Sequence, residues 1–132
     1  MPIVMEIVRE GRVILQTYSE PMDVQEMVDN EPRIHAILSK SNKPVHTITD
    51  ARTVSRLPRG FLASGKKFFR ETHPMAGLNI LVTNNDFFKT VTDVFVRLVP
   101  HYKIKVCKTM EAAWAEIDKL LAEEVLLERK TS

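Results

Sequence analysis

Hydrophobic and polar positions alternate in two short stretches near the amino terminus. Ile3 to Val8 reads as one strand, and Val13, Leu15 and Thr17 alternate against Ile14, Gln16 and Tyr18 as a second. The turn signal Glu10-Gly11-Arg12 separates them, so the spacing predicts a hairpin. Ser19-Glu20-Pro21 then opens a helix, with Pro21 at the first helical position and Asp23 and Glu26 near the positive end of the dipole. Val24, Met27 and Val28, then Ile34, Ile37 and Leu38, form its apolar stripe. Pro32 is expected to kink or split this helix, because proline cannot donate to the preceding turn.

The pattern then repeats as strand and helix. Val45 to Thr49 is β-branched and ends at Asp50; Ala51 to Leu57 is an irregular link. Pro58 opens a helix through about Thr72, with Phe61, Leu62, Gly65, Phe68 and Phe69 on one stripe; His73, preceding Pro74, is pushed out of the helical region. Leu78 to Val82 runs apolar without interruption, the signature of a strand near a sheet's centre. Asn84-Asn85-Asp86 caps a helix carrying Phe87, Phe88, Val91, Val94, Phe95, Leu98 and Val99, which Pro100 ends. Lys103 to Cys107 is a last strand whose alternating lysines guard an edge. Thr109 caps a final helix striped by Ala113, Trp114, Ile117, Leu120 and Leu121, and a frayed tail is expected from about 128. Strands alternating with helices imply crossover units. The expectation is an α/β fold in a single domain, 1–132: a mostly parallel five-stranded sheet, four main helices, and the first hairpin strand at an edge.

Composition narrows the function classes. With 132 residues, 44% hydrophobic and 27% charged, the chain has a globular balance and needs no covalent staple. A net charge of +2 does not argue for nucleic acid. Apolar runs are too short to span a membrane, and Met1 to Glu6 lacks the pattern of a signal peptide. One cysteine, Cys107, fits a reducing compartment and the cytoplasm, and reads as a buried thiol rather than a nucleophile. Charge is uneven: residues 1–50 carry net −3, residues 51–105 net +7 and residues 106–132 net −2. Either these segments face one another, or the basic middle offers a face to an acidic partner.

Chemistry-bearing motifs are sparse. The four glycines make no phosphate-cradling loop, and the four histidines (35, 46, 73, 101) form no pair at metal spacing on one helix, so no cofactor or metal is expected. Asp50 ends a central strand, where open parallel sheets place ligand crevices; it is either a crevice residue or the cap of its own turn. An enzyme would need Asp50 within reach of His46 or His73. The segment Arg52-Thr53-Val54-Ser55-Arg56-Leu57-Pro58-Arg59-Gly60 is the main functional candidate. Arg52, Arg56 and Arg59 gather at a helix start, and Lys66 and Arg70 share a face with Arg59. This is a contact surface or a solvated basic face. Val96 lies off both stripes of its helix and marks a candidate homodimer face.

Val45 to Asp50, Leu57-Pro58-Arg59-Gly60-Phe61-Leu62, His73-Pro74, Gly77 to Val82, Phe95 to Pro100 and Thr109 to Trp114 together resemble the STAS domain, the fold of bacterial anti-sigma-factor antagonists. The chain is similar over nearly its whole length to the small stand-alone STAS-like proteins of unknown function found in bacteria. The resemblance implies a non-enzymatic interaction or regulatory module. Antagonist STAS domains carry a phosphorylated serine in an Asp-Ser-Ser-Gly stretch; Pro58-Arg59-Gly60-Phe61 stands in its place here, without a hydroxyl. Ser55 and Thr53, earlier in the loop, are the nearby hydroxyls.

The expected partner is a protein with an acidic surface. It would meet Arg52, Ser55, Arg56, Leu57, Pro58, Arg59, Phe61, Lys66 and Arg70, with Leu57 or Phe61 as apolar anchors. The alternative is a small carrier of an apolar or lipid-like ligand, suggested by Phe61, Phe68, Phe69, Phe87, Phe88 and Phe95.

Overall fold

A computed structural model describes residues 3–56, 60, 73–98 and 103–131, with the backbone alone for residues 87, 88, 95, 96, 98 and 131. The strands are β1 (Ile3–Val8), β2 (Val13–Tyr18), β3 (Val45–Asp50), β4 (Ala76–Val82) and β5 (Ile104–Cys107). The helices are α1 (Val24–Ser39), α2 (Asp86–Leu98) and α3 (Met110–Thr131). The helix predicted over 58–72 lies outside the described residues.

The five strands lie side by side in chain order. β1 pairs antiparallel with β2, from Ile3 opposite Tyr18 to Val8 opposite Val13. All other neighbours are parallel. The hairpin turn carries positive φ at Arg9, Glu10 and Gly11, and glycine alone adopts that conformation without steric cost. The sheet is thus mostly parallel with the hairpin strand at one edge, and β5, carrying Lys105, at the other.

Strand alternation sorts the side chains onto two faces. Ile14 and Val45 meet Ile34, Ile37 and Leu38 of α1 on one face. Val13, Ile48, Ile80, Val82 and Cys107 meet Ala113 and Ile117 of α3 on the other. Strands marching one way with right-handed crossovers place their connecting helices on one face. α3, which follows the last strand, packs on the face opposite α1. Full burial of an isoleucine contributes roughly 1.5–3 kcal/mol, and Ile14, Ile48, Ile80 and Ile117 are essentially inaccessible.

Three local expectations change. α1 begins at Val24, not at Pro21: Asp23 is the cap, its carboxylate accepting the Glu26 N–H at 2.8 Å. α1 runs unbroken through Pro32; Ile34, Ile37 and Leu38 beyond the proline stay packed on the sheet and hold the helix on course. β4 lies inside the sheet, as read, next to the middle strand β3. The polar residues His46 and Thr47 of β3 are buried, whereas Leu78, Asn79 and Leu81 of β4 are half-buried. Finally, α3 extends past 128 to Thr131, and Glu128 pairs with Lys43 at 2.8 Å. Its amino end is as predicted: the Thr109 hydroxyl accepts the Ala112 N–H at 3.1 Å.

Charge pairing also differs in detail. Arg9–Asp118, Arg12–Glu124 and Lys43–Glu128 join the first and last segments, and Lys105–Glu116 joins the basic middle to α3. Three basic residues of the acidic amino-terminal third therefore hold the acidic helix. Among the described residues, no helix is long and apolar enough to cross a membrane.

Candidate functional site

The carboxyl ends of β2, β3 and β4 open onto one edge of the sheet, and residues 51–56 lie across it. This stretch is a built platform rather than an irregular link. Ala51 and Val54 are buried and pack with Tyr18, Met22 and Leu81. The Ala51 N–H donates to the Val82 carbonyl at 2.9 Å, and the Val54 N–H to the Ala51 carbonyl at 3.1 Å. The Thr53 hydroxyl donates to the Tyr18 carbonyl at 3.0 Å.

Glu20, just past β2, is the principal anchor. Its carboxylate accepts both the backbone N–H and the hydroxyl of Ser55 at 2.8 Å. The Asn85 side-chain amide donates to the Ser55 carbonyl at 3.2 Å. Ser55 is therefore clamped between the ends of β2 and β4. Those Ser55 donors, with Arg56 nearby, hold the Glu20 carboxyl below its usual range.

Asp50 caps its own turn. Arg52 grips its two oxygens through Nε and Nη2, each at 2.9 Å, and the Arg52 N–H adds a bond at 3.2 Å. The guanidinium lowers the Asp50 carboxyl pKa, and Asp50 raises that of Arg52. Neither histidine that an enzyme would need beside Asp50 bonds to it. His46 pairs with Glu124. His73 bonds the Ser39 hydroxyl at 3.1 Å and accepts the Met75 N–H at 3.0 Å. Carboxylates held ionised below their ordinary range are poorly matched to proton transfer at neutral pH. The arrangement fixes a surface instead.

On that surface Arg52 and Arg56 are exposed. Of the other residues predicted to meet a partner, Leu57, Pro58, Arg59, Phe61, Lys66 and Arg70 lie outside the described residues. Gly60, with φ +83°, stands beside Val24, whose Cγ1 is 3.9 Å from the position a Cβ would take. The Val96 side chain is likewise outside the description; Val94, on the same helix, is half exposed.

Next to the platform, Thr83, Asn84, Asn85, Asp86, Lys89, Val106 and Lys108 line a shallow hollow of about 90 Å³. Small-molecule sites run to roughly 300–1,000 Å³. Among the described residues no three His, Cys, Asp or Glu side chains gather as a metal site would require. Cys107 is buried, and burial pushes its thiol pKa up, as in a packed structural thiol.

A second polar centre escaped the sequence reading. His46, 2% exposed, lies under α3. Its Nδ1 accepts the Leu78 N–H at 2.9 Å and its Nε2 meets Glu124 Oε1 at 2.9 Å. Arg12 pairs with the other oxygen of Glu124. Gly77 lies against the ring: a Cβ there would stand 2.2 Å from Nδ1. Two signals pointed to it. Glu124 continues the buried stripe of α3 where an apolar residue belongs, and a glycine inside a strand often marks a close approach.

Comparison of the chain with protein-family models, with curated proteins and with solved structures finds no match.

Proposed function

We propose that this chain is a non-enzymatic interaction module of the STAS kind, acting in the bacterial cytoplasm. Its contact surface is the loop 52–59 together with Phe61, Lys66 and Arg70. One observation carries the reading: Glu20, Asp50, Asn85 and the Ala51–Val54 minicore fix the loop's first half. A surface already ordered loses little entropy on binding. Arg52 and Arg56 are exposed on it, and they suit an acidic protein partner, with electrostatic attraction speeding the approach.

The direct test is affinity capture with wild-type protein and with the Arg56→Glu/Arg59→Glu variant. Retained circular dichroism with loss of the captured protein supports the surface. Equal capture by both sinks it. Ser55 is a poor phosphorylation switch in this state, because its hydroxyl already faces the Glu20 carboxylate. A homodimer through the Val96 face is a separate proposal, resting on the place of Val96 off both apolar stripes of its helix. It predicts that Val96→Glu gives a monomer in sedimentation velocity; an unchanged profile refutes it.

A further inference from the structure

We propose that His46 and Glu124 make the carboxyl-terminal half of α3 an acid-released clasp, in which proton uptake by the His46 ring frees residues 122–131 from the sheet. The geometry of the ring is the starting point. Nδ1 accepts from the Leu78 N–H, so the ring proton sits on Nε2 and is donated to Glu124. A second proton has to enter at Nδ1, against an N–H that already points there. Gly77 is packed so closely on the ring that it cannot turn aside.

The surrounding charges do not favour a charged ring in place. Glu124 of α3 attracts it, but Glu124 is shared with Arg12 of the hairpin turn. Arg12 and Lys103, which precedes β5, both oppose the added charge, and burial opposes it most. β4 contributes only the backbone of Gly77 and Leu78. His46 is therefore held neutral below the ordinary histidine range while the clasp is shut.

Among the described residues, the segment it holds buries little apolar surface. The apolar stripe that packs α3 on the sheet ends at Leu121. Beyond it Val125, Leu126 and Leu127 are exposed, and Glu124 is the one described residue of 122–131 that is even half-buried. Ion pairs tie it to the rest of the fold, among them Glu124 to His46 and Arg12, and Glu128 to Lys43 of the loop before β3. Segments without buried apolar contacts open below the global unfolding free energy. Opening exposes His46 to water, where its pKa returns to about 6.5.

The sign follows. A proton bound in the open state and refused in the closed one favours opening as pH falls below about 6.5, and favours neither above it. Lys43 holds the Glu128 carboxyl below its ordinary range, so that pair is kept as the pH falls through the histidine range. The open population of 122–131 is then expected to rise between pH 8 and pH 5, by up to about 30-fold.

Hydrogen exchange read by mass spectrometry on the full chain, corrected for the intrinsic pH dependence of exchange, tests this. Protection of peptides within 122–131 should fall over that range, by up to about 30-fold, while that of β3 and β4 holds. In His46→Gln, which cannot titrate, the pH dependence should vanish. Unchanged protection in the wild type, or the same fall in His46→Gln, overturns the proposal. If His46→Gln does not fold, the wild-type His46 ring followed by NMR decides. Titration coinciding with the loss of protection supports the clasp; titration with 122–131 still protected overturns it.

Discussion

Gly77→Ala should cost far more than its one methyl group suggests. The new Cβ would stand 2.2 Å from His46 Nδ1, 2.6 Å from Cε1 and 3.2 Å from Cγ. A flexible side chain would move away, but this ring is 2% exposed and held at both nitrogens. Overpacking of this kind costs about 1–3 kcal/mol. A displaced ring also gives up the Leu78 bond, about 1 kcal/mol, and weakens the charge-assisted bond to Glu124, about 1.5–3 kcal/mol. A loss of about 3–5 kcal/mol is expected, a large part of the 5–15 kcal/mol that holds a typical domain together. Backbone entropy alone acts in the opposite direction, since alanine for glycine stabilises by about 0.4–1 kcal/mol where it fits. Urea unfolding followed by circular dichroism gives the number. The decisive control is the same substitution in a His46→Ala background, where the obstacle is gone and the cost should fall below about 1 kcal/mol. Equal costs in the two backgrounds would refute the reasoning.

Other consequences are open to measurement. Asn30→Ala leaves the buried Gln16 carbonyl oxygen without its 2.8 Å donor and should cost about 1–3 kcal/mol in the same unfolding assay; a neutral result means the pair adds nothing. Asp50 has a folded pKa below its unfolded one, so its clamp stabilises above about pH 4 and fades as pH falls through the lower folded value. Asp50→Asn should therefore flatten the acid limb of a stability profile taken between pH 6 and pH 2. Glu20→Ala removes the acceptor of two Ser55 donors, so exchange of the Ser55 amide should quicken with the sheet amides unaffected.

The strands were the most legible part of the chain. Val13 to Tyr18 and Val45 to Asp50 announce themselves by alternation and β-branching, and both form as read. The start of α1 was misread because Pro21 and Asp23 both suit a helix start; the Asp23 carboxylate, aimed at the Glu26 N–H, decides it. Apolar runs alone understate the burial of β3. Gln16 donates to the Thr49 hydroxyl, and His46 has partners at both nitrogens, so polar side chains fill the sheet's centre without penalty. Asp50 and the arginine loop could be found from their place after a strand. Glu20 as the anchor of Ser55 could not, since 35 residues separate them and only the strand order brings them together. The same holds for His46 and Glu124, 78 residues apart.

The contact surface is the central claim, and photo-crosslinking tests it most directly. A photoreactive residue placed at Arg56 in the otherwise native chain, irradiated in the cell, should give a discrete adduct with a partner. The same residue at Lys119, exposed on α3, should give none. Adducts at 56 that vanish when Arg59→Glu is added are the predicted result. Adducts from 119 with none from 56 would place the partner on the helix face and contradict the account.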